Sequence, residues 1–386
     1  VSDDIIYLDY AAATPVDEHV LEAMQPYYAD LFYNPSSPYK QAVAVRRDYE
    51  SAKQRLAVIF GAKGDELIMT AGATESVNLA FHGISKHIVT SSIEHPAVIE
   101  SAKQHEYTLI DPDEKGRVSP ESIKSALTPE TELVSIGLAN SELGTVQPLR
   151  KIAAVIEEER QKRAEQGNAT PLLFHSDASQ GFGHINIHVA RLGVDMLTLN
   201  AAKIYGPKQV GLLWRKPSAQ LTPTIVGGGQ EQGFRSGTEN VPGVIGFAAA
   251  AEIAAKSRSS ESARLADLRN TLETRLVEAF PQAVVTGSKK HRLPGHLHIA
   301  FPGIDAERII FMLENEGVMV ATGSACSANK HTASHVLKAL QLPDELINGS
   351  LRLTLGRNTS EADIETASYL IIQSIENEYR RLKDMA

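Results

Sequence analysis

The sequence predicts an α/β protein: a mainly parallel central sheet covered by helices, with a smaller α+β domain. Two observations predict it. Short apolar runs alternate with amphipathic stretches through most of the chain as far as about residue 258, and strands in alternation with helices form a parallel sheet covered on both faces. Beyond that point the texture changes to one long helical stretch followed by short strands interleaved with helices. The expected division is a large domain over 16–258 and a small domain made of 1–15 plus 259–386.

In chain order, the strand candidates of the large domain are HIVTSS (87–92), YTLIDP (107–112), ELVSIGLAN (132–140), LLFHSDA (172–178), DMLTLNA (195–201) and GLLWRK (211–216). Helical patterns separate several of them, as in LRKIAAVIEEERQKRAEQ, whose charged run EEERQKR (157–163) is a solvated helix face. SRSSES (257–262) reads as a linker or helix start, and RLADLRNTLETRLVEAF as a long helix. The small domain then offers VVTG, HLHIAF, GVMVA and LRLTL as strands. Neither repeats nor low-complexity tracts interrupt this pattern.

Composition narrows the function classes. Apolar residues make up 42% and charged residues 22% of the 386 positions, which is ordinary for a globular protein with an ample core. A formal charge of -9 argues against a dedicated nucleic-acid binder, which carries a basic surplus. The single cysteine, Cys326, rules out an intrachain disulfide and any all-cysteine metal site, and suits a reducing compartment. No apolar run is long enough to span a bilayer, and the N-terminus has no signal-peptide pattern. The expectation is a cytoplasmic protein with no resident metal and no membrane or direct nucleic-acid partner.

Ligands of open parallel sheets bind at the carboxyl ends of the strands, and four segments end there. Lys203 follows an apolar strand and precedes a Gly-Pro turn in TLNAAKIYGPKQVG. Asp177 closes the strand in LLFHSDA, and a carboxylate in such a crevice needs a cationic partner. In MTAGATESVNLA (69–80), small residues lead through Thr74 into an amphipathic helix, a natural phosphate cradle. His95 stands at a strand end just before Pro96. A lone lysine there is ordinarily a surface residue, and a lone histidine ordinarily structural. Together they supply a Schiff-base lysine, an acid for a pyridinium nitrogen, a phosphate cradle and a flat ring, the set that holds pyridoxal 5′-phosphate.

Cys326 sits in VMVATGSACSANK (318–330), among small residues with little to pack against. A free cysteine usually behaves as a small buried hydrophobe. The alternative is a thiol used as a tool.

The chain resembles the cysteine desulfurases of the NifS/IscS type, in the class-V aminotransferase family, nearly end to end. The resemblance is carried by YLDYAAATP (7–15), NPSS (34–37), AGATES (71–76), SSIEHPAV (91–98), NSELGTVQP (140–148), SDASQGFG (176–183), KIYGPK (203–208), GGGQEQGFRSGTEN (227–240), TGSACS (322–327) and SLRLTLGR (350–357). The spacing after Cys326 is similar to that of the long-loop group. The resemblance implies the fold type I of pyridoxal-phosphate-dependent transferases and a set of roles. Lys203 would hold the cofactor as a Schiff base and move protons. His95 would stack on the ring and assist proton transfer, and Asp177 would pair with the pyridine nitrogen. Gln180 would hydrogen-bond the phenolic oxygen, and Asn200, standing where serine is expected, can still donate a hydrogen bond. Ala73 and Thr74 would hold the phosphate, with Thr238 reaching it from the other subunit of a homodimer. Asn34 and Arg352 would hold the substrate carboxylate. Cys326 would take sulfur from L-cysteine as a persulfide, leaving L-alanine, and pass it to an acceptor protein such as an iron–sulfur scaffold or a tRNA-thiolation protein.

The pattern departs from the family at four places: Ala202 stands where histidine precedes the lysine, Asn200 where serine is usual, Ser141 where the motif has a second asparagine, and Tyr39 where histidine is common. The competing readings are a C–S lyase or selenocysteine lyase on the same fold, and a weakly active scaffold for sulfur transfer.

Overall fold

The structure of the protein, a computed structural model, describes residues 5–323 and 334–385. Its strands, numbered in chain order, are β1 (Ile6–Tyr7), β2 (Leu67–Thr70), β3 (His87–Ser91), β4 (Glu106–Ile110), β5 (Thr131–Ser135), β6 (Leu173–Asp177), β7 (Met196–Asn200), β8 (Gly211–Arg215), β9 (Val284–Val285), β10 (His296–Ala300), β11 (Val318–Met319) and β12 (Ser350–Thr354). Seven of them form the large sheet in the order β2-β8-β7-β6-β5-β3-β4. Neighbours from β4 through β7 run parallel, whereas β8 is antiparallel to both β7 and β2. Only ten residues join β7 to β8, too few for the crossover that a parallel pair needs. Because β8 alone is reversed, the carboxyl ends of β2, β3, β5, β6 and β7 lie along one edge.

The runs read as strands because both faces are covered. Alternate residues divide between two apolar cores: Val89, Val134, Leu197 and Leu212 enter one, and Ile88, Leu133, Met196 and Leu213 the other. The edge strand β4 shows the contrast, with Glu106, Tyr107 and Leu109 exposed. The sequence reading missed β2, a four-residue run too short to separate from a helical fragment by period.

The second architecture is a three-stranded antiparallel sheet in the order β12-β10-β9, with β1 and β11 paired in parallel beside it. Its core takes Leu8 from the N-terminal segment and otherwise residues from Leu265 to Ile375. SRSSES is neither linker nor helix start: it lies inside one helix, Val241–Ala279, that serves both cores. Residues up to Ala254 pack on the large sheet, and Leu265, Leu268, Leu272 and Leu276 on the small one. The serines fit because they bond to the helix itself, Ser257 Oγ donating to the Ile253 carbonyl at 2.9 Å and Ser260 Oγ to that of Ser257. We read the two cores as two domains whose boundary falls within this helix.

Candidate active site

A cavity opens at the carboxyl edge of the large sheet and is lined by residues from both cores' sides, Arg352 of β12 among them. Lys203, His95, Asp177, Gln180, Asn200, Ala73, Thr74 and Arg352 all line it. Asn34 and Thr238 do not. Asn34 is exposed, and its Oδ1 accepts the Ser36 N–H at 2.9 Å, which closes a local turn. Thr238 lines a separate pocket with Glu239 and Asn240. Cys326 lies outside the described residues.

Each side chain arrives by a short local route. Asp177 is the last residue of β6 and Asn200 the last of β7. Asn200 Oδ1 accepts the Ala202 N–H at 3.1 Å and so caps the single helical turn Ala201–Lys203 that carries the lysine. Lys203 Nζ donates to the carbonyls of Ala11 (2.8 Å) and Ala12 (2.6 Å). Gln180 Nε2 also donates to the Ala11 carbonyl, at 3.1 Å. The N-terminal AAATP segment therefore roofs the lysine, a contact that spans more than 190 positions of chain.

The segment expected to cradle a phosphate forms a helix start. Helix Ala73–Phe81 begins after Gly72, at φ 136°, and no side chain caps its first turn. Its leading N–H groups are those that bind anions at helix starts. Gly211 allows this turn to sit on β8, since a Cβ there would meet Gly72's carbonyl carbon at 2.6 Å. Glu75, in the same turn, is committed elsewhere: it accepts the Ala71 N–H at 3.0 Å and the Arg235 Nε–H at 2.9 Å.

His95 opens helix Pro96–Ala102, and its Nδ1 accepts the Ala97 N–H at 3.1 Å. The neutral ring thus carries its proton on Nε2. Desolvation by the surrounding protein holds its pKa below the ordinary histidine value, against the pull of Asp177. Arg352 is 2% exposed. Its Nη2 pairs with Asp9 Oδ1 at 2.6 Å, and its Nε has no partner among the described residues. A planar guanidinium so held is suited to two oxygens of one carboxylate.

The sequence reading did not single out Asp9, Glu94, Glu142 or Ser179. Ser179 lines the cavity, and its Oγ has no partner among the described residues. Glu94 also lines the cavity, accepting from Gly137 N–H at 3.0 Å and Ser91 Oγ–H at 2.9 Å. Burial pushes its pKa up to about 7, with Asp177 adding to the rise and those two donors opposing it. A carboxyl that holds its proton more tightly when folded stabilises the fold fully below its ordinary value of 4.5, and loses that contribution as pH rises through about 7. Glu94→Gln should therefore gain stability relative to the parent between about pH 5 and about pH 8, by on the order of 1–3 kcal/mol. Thermal unfolding at the two pH values measures it; a difference that does not move with pH contradicts the assignment. Among the described residues no group of three or more His, Cys, Asp or Glu side chains is arranged to hold a metal ion, and no helix is long and apolar enough to cross a membrane.

The class-V aminotransferase family matches residues 6–366. The cysteine desulfurase IscS of Dictyoglomus turgidum is 39% identical over 371 residues, covering 93% of this chain and 91% of that protein. Cysteine desulfurase IscS 1 of Archaeoglobus fulgidus is 38% identical over 98% of both chains. Among solved structures, a NifS-like protein superposes with a TM-score of 0.87 at 30% identity, covering 96% of this chain and 99% of its own. SspA in complex with cysteine superposes at 0.79 with 32% identity, over 90% of this chain and 98% of its own.

Proposed function

From the premise that this chain belongs to the class-V aminotransferase family, and within it to the cysteine desulfurases, we propose that its cavity holds pyridoxal 5′-phosphate and that Cys326 receives the sulfur of L-cysteine. The observation that carries the reading is the convergence of Lys203, Asp177, His95 and an uncapped helix start on one cavity, with a buried arginine beside them. The residues fit the cofactor: an anion cradle at Ala73 and Thr74, an acid at Asp177, an aromatic ring at His95 and an amine at Lys203. Gln180 and Asn200 add donors, and the unpartnered Ser179 Oγ adds another. When bound, pyridoxal phosphate supplies an electron sink in conjugation with the substrate's α-carbon.

The chain's own groups do the rest. Asp177 keeps the proton on the ring nitrogen. Arg352, steadied by Asp9, binds the substrate carboxylate; Asn34, exposed and outside the cavity, takes no part in this chain's own site. Lys203 Nζ, which lies beside the carbonyls of Ala11 and Ala12, takes the proton from the α-carbon as a neutral amine. The Cys326 thiolate attacks the substrate sulfur. An S–S bond forms and the substrate's Cβ–S bond breaks. The electron pair of that bond stays with the alanyl carbon, which takes a proton, so L-cysteine and one protein thiol become L-alanine and one protein persulfide. A thiol has an ordinary pKa of about 8.5, so only a minority is thiolate at neutral pH. With Nδ1 occupied by the Ala97 N–H, a neutral His95 ring would stabilise that thiolate by donation from Nε2.

In this reading the enzyme is a homodimer in which Thr238 of a second copy completes the phosphate site, which suits its position outside the chain's own cavity. The sulfur acceptor is a protein of an iron–sulfur or tRNA-thiolation pathway in the cytoplasm, where one unpaired thiol stays reduced. Purified protein given L-cysteine and a reducing thiol should release alanine and sulfide in equal amounts; sulfide without alanine would refute the proposal. Arg352→Lys should raise KM for L-cysteine by about ten- to a hundredfold, as a charge-assisted two-point contact becomes a single one. The cofactor's visible absorption should be unchanged in that variant, and an unchanged KM would remove Arg352 from the substrate site.

A further inference from the structure

The geometry points to Glu142 as a positioning residue that fixes the chain just after the stretch holding Cys326 and sits beside the chain just before it; this assignment rests on the desulfurase reading. Glu142 is buried, at 1% exposure. Its Oε2 accepts the Ser334 Oγ–H at 2.9 Å. Ser334 is the first described residue after 324–333, and its Oγ also accepts the Leu337 N–H at 3.2 Å, capping helix His335–Ala339. Gly323 is the last described residue before the same stretch. A Cβ on Gly323 would sit 3.3 Å from Glu142 Oε1. One carboxyl group thus holds one flank by a hydrogen bond and sits beside the other, where there is little room for a side chain.

The post itself is anchored to the site. Asn140 Oδ1 accepts the N–H groups of Glu142 and Leu143, each at 2.9 Å, while its Nδ2 donates to the Ile93 carbonyl at 2.8 Å. This ties Glu142 to the turn that carries His95. His335 adds a second tie, with Nε2 at 3.0 Å from the Glu94 carbonyl oxygen. On the other flank, Ala321 exchanges backbone hydrogen bonds with Arg352, at 2.7 and 3.3 Å. Arg352, the turn that carries His95 and the residues flanking 324–333 therefore lie around Glu142.

Packing alone does not account for an acid here. Burying a carboxyl group costs free energy unless its oxygens are used, and Oε1 has no hydrogen-bond partner among the described residues. The nearest ionisable atom, His298 Nε2, is 3.7 Å away, too far for a direct bond. Burial pushes the Glu142 pKa up to about 7, with Ser334 and Arg352 opposing the rise. An apolar residue would fill the space more cheaply, so the group's value lies in what it holds.

The test uses the cofactor-loaded enzyme and its Ser334→Ala, Glu142→Ala and Glu142→Gln variants. It reads three quantities: the visible absorption of bound cofactor, the concentration of L-cysteine that half-saturates its spectral change, and the single-turnover rate of persulfide formation on Cys326. Ser334→Ala and Glu142→Ala should keep the absorption and the half-saturation within about twofold, and should slow persulfide formation by about ten- to a hundredfold, the cost of a reacting atom misplaced by about 1 Å. Glu142→Gln should stay near the parent rate, because its amide oxygen still accepts from Ser334. Persulfide formed at the parent rate in Ser334→Ala would overturn the assignment, as would absorption lost in step with rate. Should Glu142→Ala not fold, Ser334→Ala carries the test alone. A parent enzyme that forms no persulfide would instead overturn the desulfurase reading, and this assignment with it.

Discussion

Cys326→Ala forms no persulfide and releases no alanine above background from L-cysteine, a loss on the order of 10³-fold or more, as for removal of a nucleophile. The expectation is sharp because the chain has no second thiol to substitute. In the proposed mechanism, substrate binding uses groups of the cavity that do not include the thiol: Arg352 for the carboxylate, and Lys203, His95 and Asp177 around the ring. The variant should therefore still change its visible absorption when L-cysteine is added, with half-saturation near that of the parent. Binding kept and sulfur transfer lost is the signature of a missing acceptor. If the variant turned L-cysteine over at the parent rate, the sulfur would be leaving by a route that bypasses Cys326.

Lys203→Ala abolishes turnover by a different loss. Its Nζ is the only described cation held against the Ala11 and Ala12 carbonyls, and in the proposed mechanism proton transfer at the α-carbon depends on an amine there. Loss of a positioned acid or base costs about 10²–10⁴-fold, and loss of the covalent hold on the cofactor adds to it. The cradle at Ala73 and Thr74 and the acid at Asp177 remain, so the cofactor should still bind, though dialysis should remove it. Lys203→Arg should be no better, because a guanidinium does not give up its proton near neutral pH. Partial rescue of Lys203→Ala by a small primary amine would separate lost proton transfer from a distorted site. Full activity in Lys203→Ala would remove the lysine from the mechanism.

Much of the large domain was legible in the sequence because its strands are buried on both faces, which writes them as near-continuous apolar runs. The site was legible for a related reason. Asp177 ends one of those runs, Lys203 and His95 come three and four residues after two others, and in a parallel sheet the end of a run is a place in space. What escaped the sequence depends on contacts between distant segments. The direction of β8 follows from the length of its connection, not from its own residues. The 257–262 stretch has linker composition, yet cores at both ends carry the helix through it. Asp9 matters because it meets Arg352, 343 positions away. Glu94 and Glu142 stand inside motifs of the resemblance, but their type and position give them no role; burial does. The roof over Lys203 by the carbonyls of Ala11 and Ala12 involves no side chain of the roofing residues, so residue type carried no signal for it.

The most direct measurement of the central claim is the mass of the Cys326 peptide after one turnover with L-cysteine and no reductant, with the three-carbon product identified in the same sample. The account predicts one sulfur atom added at Cys326 for each alanine formed. Pyruvate in place of alanine, with Cys326 unmodified, would contradict it and make the protein a C–S lyase.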